Sequence, residues 1–175
     1  MTTALEVLRY INEKYSPLGE VQYQKLLYYA QAWSLAWDGK PLFEDSVEAW
    51  KMGPVVPTVR RCARVQGPYE LTPVQRATID AIVQHYGQWS GAQLIEKTHS
   101  ESPWLEARGD LPDTEVSRVE ISHDSMRREY TRQSIRGEGP QRPPAERRVA
   151  DRDDVLALAD GASREWSRTL ALLAE

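Results

Sequence analysis

Apolar residues recur every three or four positions along most of the chain, and polar turn residues separate the runs. The stretch Gln22–Trp37 stands out. Leu26, Tyr29, Ala30, Trp33 and Trp37 fall on one face of a helix over about Glu20–Trp37, with Asp38-Gly39 as its stop. A stripe this apolar needs cover from other helices, which makes it the central element of a bundle. Three uses stay open for it: plain core, the wall of a partner groove, or the wall of a small-molecule pocket.

The other runs arrange themselves around it. Thr3-x-x-Glu6 predicts a capping box opening a helix with Ala4, Val7, Leu8, Ile11 and Tyr15 inward. Alternation over Ser46–Lys51 predicts a short strand, and Gly53-Pro54 a turn. Pro57 opens a predicted helix with Val59, Cys62 and Ala63 inward and Arg60, Arg61 and Arg64 outward. Thr72-Pro73-Val74-Gln75 starts a helix to Tyr86, and Ser90-x-x-Gln93 one through Thr98. Ser102 is expected to cap a short helix holding Trp104 and Leu105. Val119–Ile121 is a candidate strand beside Val47–Lys51, and Ser122 caps a helix carrying Met126 and Tyr130.

Past residue 135 the texture changes. The run from Gly137 to Pro144 reads as a linker. Beyond it, Val155, Ala159, Ala162, Trp166, Leu170 and Leu173 form one face of a final helix capped by Asp153. That face either folds back on its own domain or docks on another chain. The expected fold is therefore mainly α: a compact multi-helix bundle with a short β-strand pair, then a C-terminal helix. The expected organisation is a helical domain over 1–135, a flexible Pro/Gly/Arg-rich linker over 136–152 and an amphipathic helix over 153–175.

Composition narrows the function classes. The 175 residues carry a net charge of -4, with 41% hydrophobic residues, as in ordinary soluble domains. No apolar run approaches the roughly 20 residues of a membrane span. Glu6 and Glu13 lie in the amphipathic N-terminal pattern, unlike a signal peptide. The single cysteine, Cys62, cannot form an internal disulfide and suits a reducing cytoplasm. Nine arginines face six acidic residues between Arg118 and Arg152. Such an arm could meet phosphate, an acidic protein surface or only water. Nothing else favours nucleic acid.

Catalytic chemistry finds little footing. Cys62 with His99 is the one conceivable nucleophile–base pair, and an inward-facing small thiol is the more ordinary outcome. His85, His99 and His123 share no zinc-ligand spacing. Phosphate-cradling and nucleophile-elbow motifs are missing from the sequence. No enzymatic activity and no cofactor or metal are expected.

Four blocks then stand out together: KLLYYAQAW at Lys25–Trp33, EAWKMGPVVP at Glu48–Pro57, THSESPW at Thr98–Trp104 and ISHDSMRREY at Ile121–Tyr130. In this order they resemble the Panacea domain, the SocA-like family also described as phage-associated proteins. The resemblance covers about Leu5 to Gln133. It implies a mainly helical antitoxin that neutralises a cognate protein toxin by direct binding, often an alarmone-synthetase-like enzyme encoded beside it and in some settings part of phage defence. One branch of the family delivers its toxin to a cellular protease, so a proteolytic adaptor is an alternative. A DNA-binding autoregulator and a homo-oligomer are further ones.

The toxin-contact candidates that lie in or beside the blocks are Trp37, Asp38, Trp50, Lys51, Met52, Arg60, Arg61 and Trp104. For Trp50 and Trp104 the core is the stronger expectation. Trp166, on the appended helix, is the candidate for partner specificity.

Overall fold

The computed structural model describes residues 2–15, 18–62, 65–112 and 115–144. Six helices and one hairpin make up these residues: α1 (Ala4–Tyr15), α2 (Glu20–Asp38), β1 (Glu48–Trp50), β2 (Gly53–Val55), α3 (Pro73–Tyr86), α4 (Gly91–His99), α5 (Ser102–Arg108) and α6 (His123–Ile135). The expected final helix and Trp166 lie outside the described residues.

Helix α2 is the axis of the bundle. It touches α1, α3, α4, α6 and β2, with α6 its most extensive neighbour. It is buried nearly all round, not along one stripe: Gln24, Lys25, Gln31 and Ser34 are as enclosed as Leu26 and Trp33. Its buried polar groups each find a loop to hold, as burial requires. Gln24 accepts from the Val56 N–H at 2.8 Å. Gln31 accepts from the Leu42 and Phe43 N–H groups at 2.8 and 3.1 Å and donates to Phe43 O at 2.9 Å. Ser34 donates to Lys40 O. The helix ends where Gly39 enters the left-handed region at φ 67° and donates to Leu35 O, a conformation glycine adopts without a Cβ penalty.

The core is aromatic. Tyr29 stacks on Tyr86 of α3 with centroids 4.0 Å apart, and Tyr130 of α6 meets Tyr28, Tyr29 and Trp33 edge-on or tilted. Trp33 Nε1 donates to the Tyr86 hydroxyl at 3.2 Å. Helix α6 is otherwise polar, and buries one narrow face of Ser125, Met126, Glu129, Tyr130 and Gln133.

Local capping chemistry is as expected at four helices. Thr3 and Glu6 exchange hydrogen bonds at α1, Thr72 and Gln75 at α3, and Ser90 and Gln93 at α4; Ser122 accepts from Ser125 N at α6. The short helix at 102–108 departs from expectation. Glu101 occupies its N-cap position without a side-chain cap, and the Ser102 hydroxyl donates to Glu129 instead.

Three further expectations are corrected. Gly53-Pro54 is not the turn: both residues belong to β2, which pairs antiparallel with β1 (Glu48 with Val55, Trp50 with Gly53) around a Lys51-Met52 turn. The helix expected from Pro57 is a single 3-10 turn, Pro57–Val59. Arg61, at φ 66°, is the one non-glycine residue with positive φ among the described residues, and that geometry cannot continue a helix. Cys62 is half-buried, not enclosed. The stretch over 119–121 does join the hairpin, as one antiparallel bridge between Glu48 and Glu120. Ala49 N donates to Val119 O at 2.8 Å and Ile121 N to Val47 O at 2.7 Å.

Residues 137–144, read above as the start of a flexible linker, lie against the domain. Pro140 is buried, and Arg142 pairs with Asp38 at 2.7 Å. Gly139, at φ +86°, lets the backbone approach Trp33 so closely that a Cβ would stand 2.3 Å from its ring. Glycine and proline serve close approach there, a use that composition alone does not distinguish from flexibility.

Candidate functional site

Buried polar side chains tie the hairpin to the helices beneath it. Lys25, on α2, is 1% exposed. Its ammonium donates to Met52 O at 2.6 Å and to Pro54 O at 3.0 Å. Burial pulls its pKa down to about 7. Gly53, between those two carbonyls, has φ +91°, and a Cβ there would lie 2.6 Å from Lys25 Nζ and 2.7 Å from Thr98 Oγ1. Glycine is therefore required twice at this position, for conformation and for space.

Two more buried side chains hold the hairpin from α5. Trp104 Nε1 donates to Trp50 O at 2.9 Å, and Arg108 Nη1 reaches Ala49 O at 3.5 Å. Arg108 also donates to Glu115 O and lies over the Trp104 ring, 5.1 Å from its centroid. The His99 ring also stacks on Trp104, nearly parallel to it, with centroids 3.9 Å apart. Four carbonyls of the hairpin, at Ala49, Trp50, Met52 and Pro54, are thus tied down by three buried side chains.

A second buried polar cluster surrounds Glu101. The Glu101 carboxylate is buried and accepts from Tyr130 OH at 2.7 Å, Tyr29 OH at 3.2 Å and Gln133 Nε2 at 3.1 Å, with Lys97 at 3.2 Å. Desolvation raises its pKa, and Lys97 and the hydrogen bonds oppose that rise. Tyr130 is pushed well above the usual tyrosine value by burial and by the Glu101 charge. Neighbouring Glu129 accepts from Ser102 at 2.6 Å and Gln133 at 2.9 Å and pairs with Arg132; these outweigh its desolvation and hold its pKa below the ordinary value. These contacts fasten α5 and α6 to α2. They leave the carboxylates satisfied and enclosed, which suits holding a fold and not acid–base turnover.

The four sequence blocks meet here. Lys25 and Tyr29 come from the first, Met52 to Pro54 from the second, Thr98, Glu101 and Trp104 from the third, and Tyr130 from the fourth. Comparison with known proteins reaches the first three of these blocks. The family "Antitoxin SocA-like, Panacea domain" matches residues 23–105. The protein named Antitoxin SocA from Caulobacter vibrioides (strain NA1000 / CB15N) is 31% identical over 112 residues, covering 50% of this chain and 58% of that protein. Residues 23–105 of this chain are thus similar to a SocA-like Panacea domain. It spans just over half the length of that relative. No solved structure gives a significant match.

Among the described residues the predicted contact residues separate into groups. Trp104 is buried beneath the hairpin, 2% exposed. Trp37 is buried at the far end of α2, tilted against Trp33 at 5.2 Å. Asp38 beside it is engaged by Arg142. Trp50, Lys51, Met52, Arg60 and Arg61 gather around the hairpin. Trp50 is half-buried, its Nε1 donating to Glu48 at 2.7 Å, and the Arg60 guanidinium lies 4.8 Å from the centre of its ring. Lys51, Arg60 and Arg61 are exposed. Met52 is 53% exposed. The structure brings these five together and sets Trp37 and Asp38 apart from them.

Lys25, Glu101 and Arg108 are the structural anchors that sequence reasoning missed. Each is charged, and a charged residue on a helix or at its cap reads as surface. A signal was available for one of them: Lys25 opens the KLLYYAQAW block inside a helix that is otherwise apolar or aromatic. Cys62 and His99 have ordinary roles. The Cys62 thiol approaches Arg60 O at 3.7 Å, and the His99 ring packs flat on Trp104. Among the described residues, no three His, Cys, Asp or Glu side chains are grouped to hold a metal ion, and no helix is long and apolar enough to cross a membrane.

Proposed function

We propose that this chain is an antitoxin that neutralises a cognate protein toxin by direct, stoichiometric contact. The observation that carries the reading is the match of residues 23–105 to the Antitoxin SocA-like domain, reinforced by 31% identity to Antitoxin SocA. The geometry supports it. The buried charged groups Lys25, Glu101 and Arg108 are spent on fastening helices and loops, and exposed Lys51 and Met52 form the turn of a hairpin held from beneath. Such a surface suits binding without turnover.

On this reading the protein acts in the cytoplasm, needs no cofactor, and meets the product of an adjacent gene. An alarmone-synthetase-like enzyme is the first toxin to test. Residues 153–175, with Trp166, are the proposed source of additional partner specificity.

Co-expression with the adjacent gene's product provides the test. The expected outcome is restored growth together with a co-purifying complex. Loss of toxin protein only in cells that contain a particular protease would instead establish the adaptor alternative. Lack of rescue and of a complex, with both proteins soluble, would remove the antitoxin reading. Salt-sensitive binding to the operon's own promoter DNA would then support the regulator alternative.

A further inference from the structure

The hairpin is held more firmly than three paired residues require. A two-stranded hairpin is marginal alone, yet this one has Lys25, Trp104 and Arg108 beneath it, all at most 3% exposed. A buried cation is unfavourable unless well hydrogen-bonded, and an apolar filling stabilises a core at least as well. What the cations add is geometry. They fix three backbone carbonyls and Trp104 a fourth, and Gly53 packs closely against Lys25 and Thr98. Departures from the simplest packing of this kind mark sites where shape matters for something beyond stability.

The outer face shows what that shape presents. Met52 projects from the turn. The Trp50 ring lies under the Arg60 guanidinium, and Arg61 is exposed in its left-handed conformation. Trp, Met and Arg are the side chains enriched at binding hot spots. Two acids are hydrogen-bonded here: Glu48 accepts from Trp50 Nε1, and Glu20 from the Arg61 N–H at 3.3 Å. Lys51, Arg60 and Arg61 are the exposed basic residues of this stretch, on a chain whose net charge is -4.

We infer that the β1–β2 turn, with Trp50, Met52 and Arg60, is the surface that grips the neutralised protein, and that this partner offers an apolar pocket rimmed by carboxylates. The inference rests on the antitoxin reading and adds the place and the chemistry of contact. A preorganised anchor loses little conformational freedom on binding, which favours affinity from a small surface. The outer face of α6 provides a natural control. Ile135 is 82% exposed there, but the nearby Arg127, Arg128 and Arg132 are each paired with an acid of the same domain.

The test uses the full chain and the catalytically inactivated product of the adjacent gene, titrated by calorimetry. Met52→Asp is expected to weaken binding at least about tenfold, a typical loss for an anchor residue. Arg60→Glu is expected to slow association and to flatten its salt dependence. Ile135→Asp is expected to change affinity by less than about twofold, and all three variants, being at exposed positions, should melt close to the parent chain. Parent-like binding by both hairpin variants overturns the hairpin assignment while leaving the antitoxin reading intact. Absence of binding by the parent chain overturns the antitoxin reading itself. Conversion of a parent dimer to monomers by Met52→Asp, with partner affinity unchanged, assigns the turn to self-association and likewise overturns the inference.

Discussion

Lys25 gives the sharpest physical prediction. An unfolded lysine titrates near 10.5, and burial brings this one to about 7 in the folded domain. The sign follows from proton counting. Between those two values the unfolded chain holds a proton that the folded chain has largely released, so stability rises with pH across that window. The penalty is complete below about pH 7 and relieved above about pH 10.5. Over its full range it amounts to about 5 kcal/mol, and about 2 kcal/mol of this is recovered between pH 7 and pH 9.

Lys25→Met removes the titration and leaves Met52 O and Pro54 O without their donor, at about 1–3 kcal/mol each. The absolute stability of the variant therefore mixes opposing effects, and the informative quantity is the pH dependence of its difference from the parent. Urea unfolding followed by tryptophan fluorescence at pH 7, 8 and 9, with constant m-values, measures it. The parent is expected to gain about 2 kcal/mol relative to Lys25→Met from pH 7 to pH 9. Groups common to both proteins cancel. A difference constant to within about 0.5 kcal/mol would show that the two carbonyls hold Lys25 charged, and would refute the reasoning.

Other outcomes follow from the same geometry. Gly53→Ala places a Cβ against Lys25 and Thr98 at positive φ; a loss of about 2–4 kcal/mol in chemical denaturation is expected. Tyr130→Phe removes the closest donor to Glu101 and should destabilise by about 1–3 kcal/mol, with the loss shrinking at low pH as Glu101 protonates in both folded proteins. Gly139→Val should lower the melting temperature by several degrees because of the close approach to Trp33, whereas Arg142→Ala removes only an exposed ion pair and should change stability by less than about 1 kcal/mol.

What the sequence made legible was local. The capping pairs Thr3–Glu6, Thr72–Gln75 and Ser90–Gln93 depend on residues three apart, and each forms as read. The dense apolar and aromatic content of Gln22–Trp37 was enough to place α2 at the centre. The spacing of Val59 and Cys62 was not enough to make a helix, because Arg61 adopts a conformation that no periodicity reports. The polar anchors were illegible for a related reason. Gln24, Lys25, Gln31 and Glu101 are buried because distant loops need their hydrogen bonds, and those loops enter only when the chain is folded. Of the contact candidates, the sequence supplied the residue types; the structure separated buried Trp37 and Trp104 from the set around the hairpin.

The central claim is neutralisation by contact. Its most direct measurement is the activity of the purified adjacent-gene product as the purified full chain is titrated in, with no other protein present. Inhibition is expected to saturate at a fixed molar ratio and to be matched by formation of a complex of that ratio. Undiminished activity in the presence of excess chain, or inhibition that requires an added protease, would contradict it.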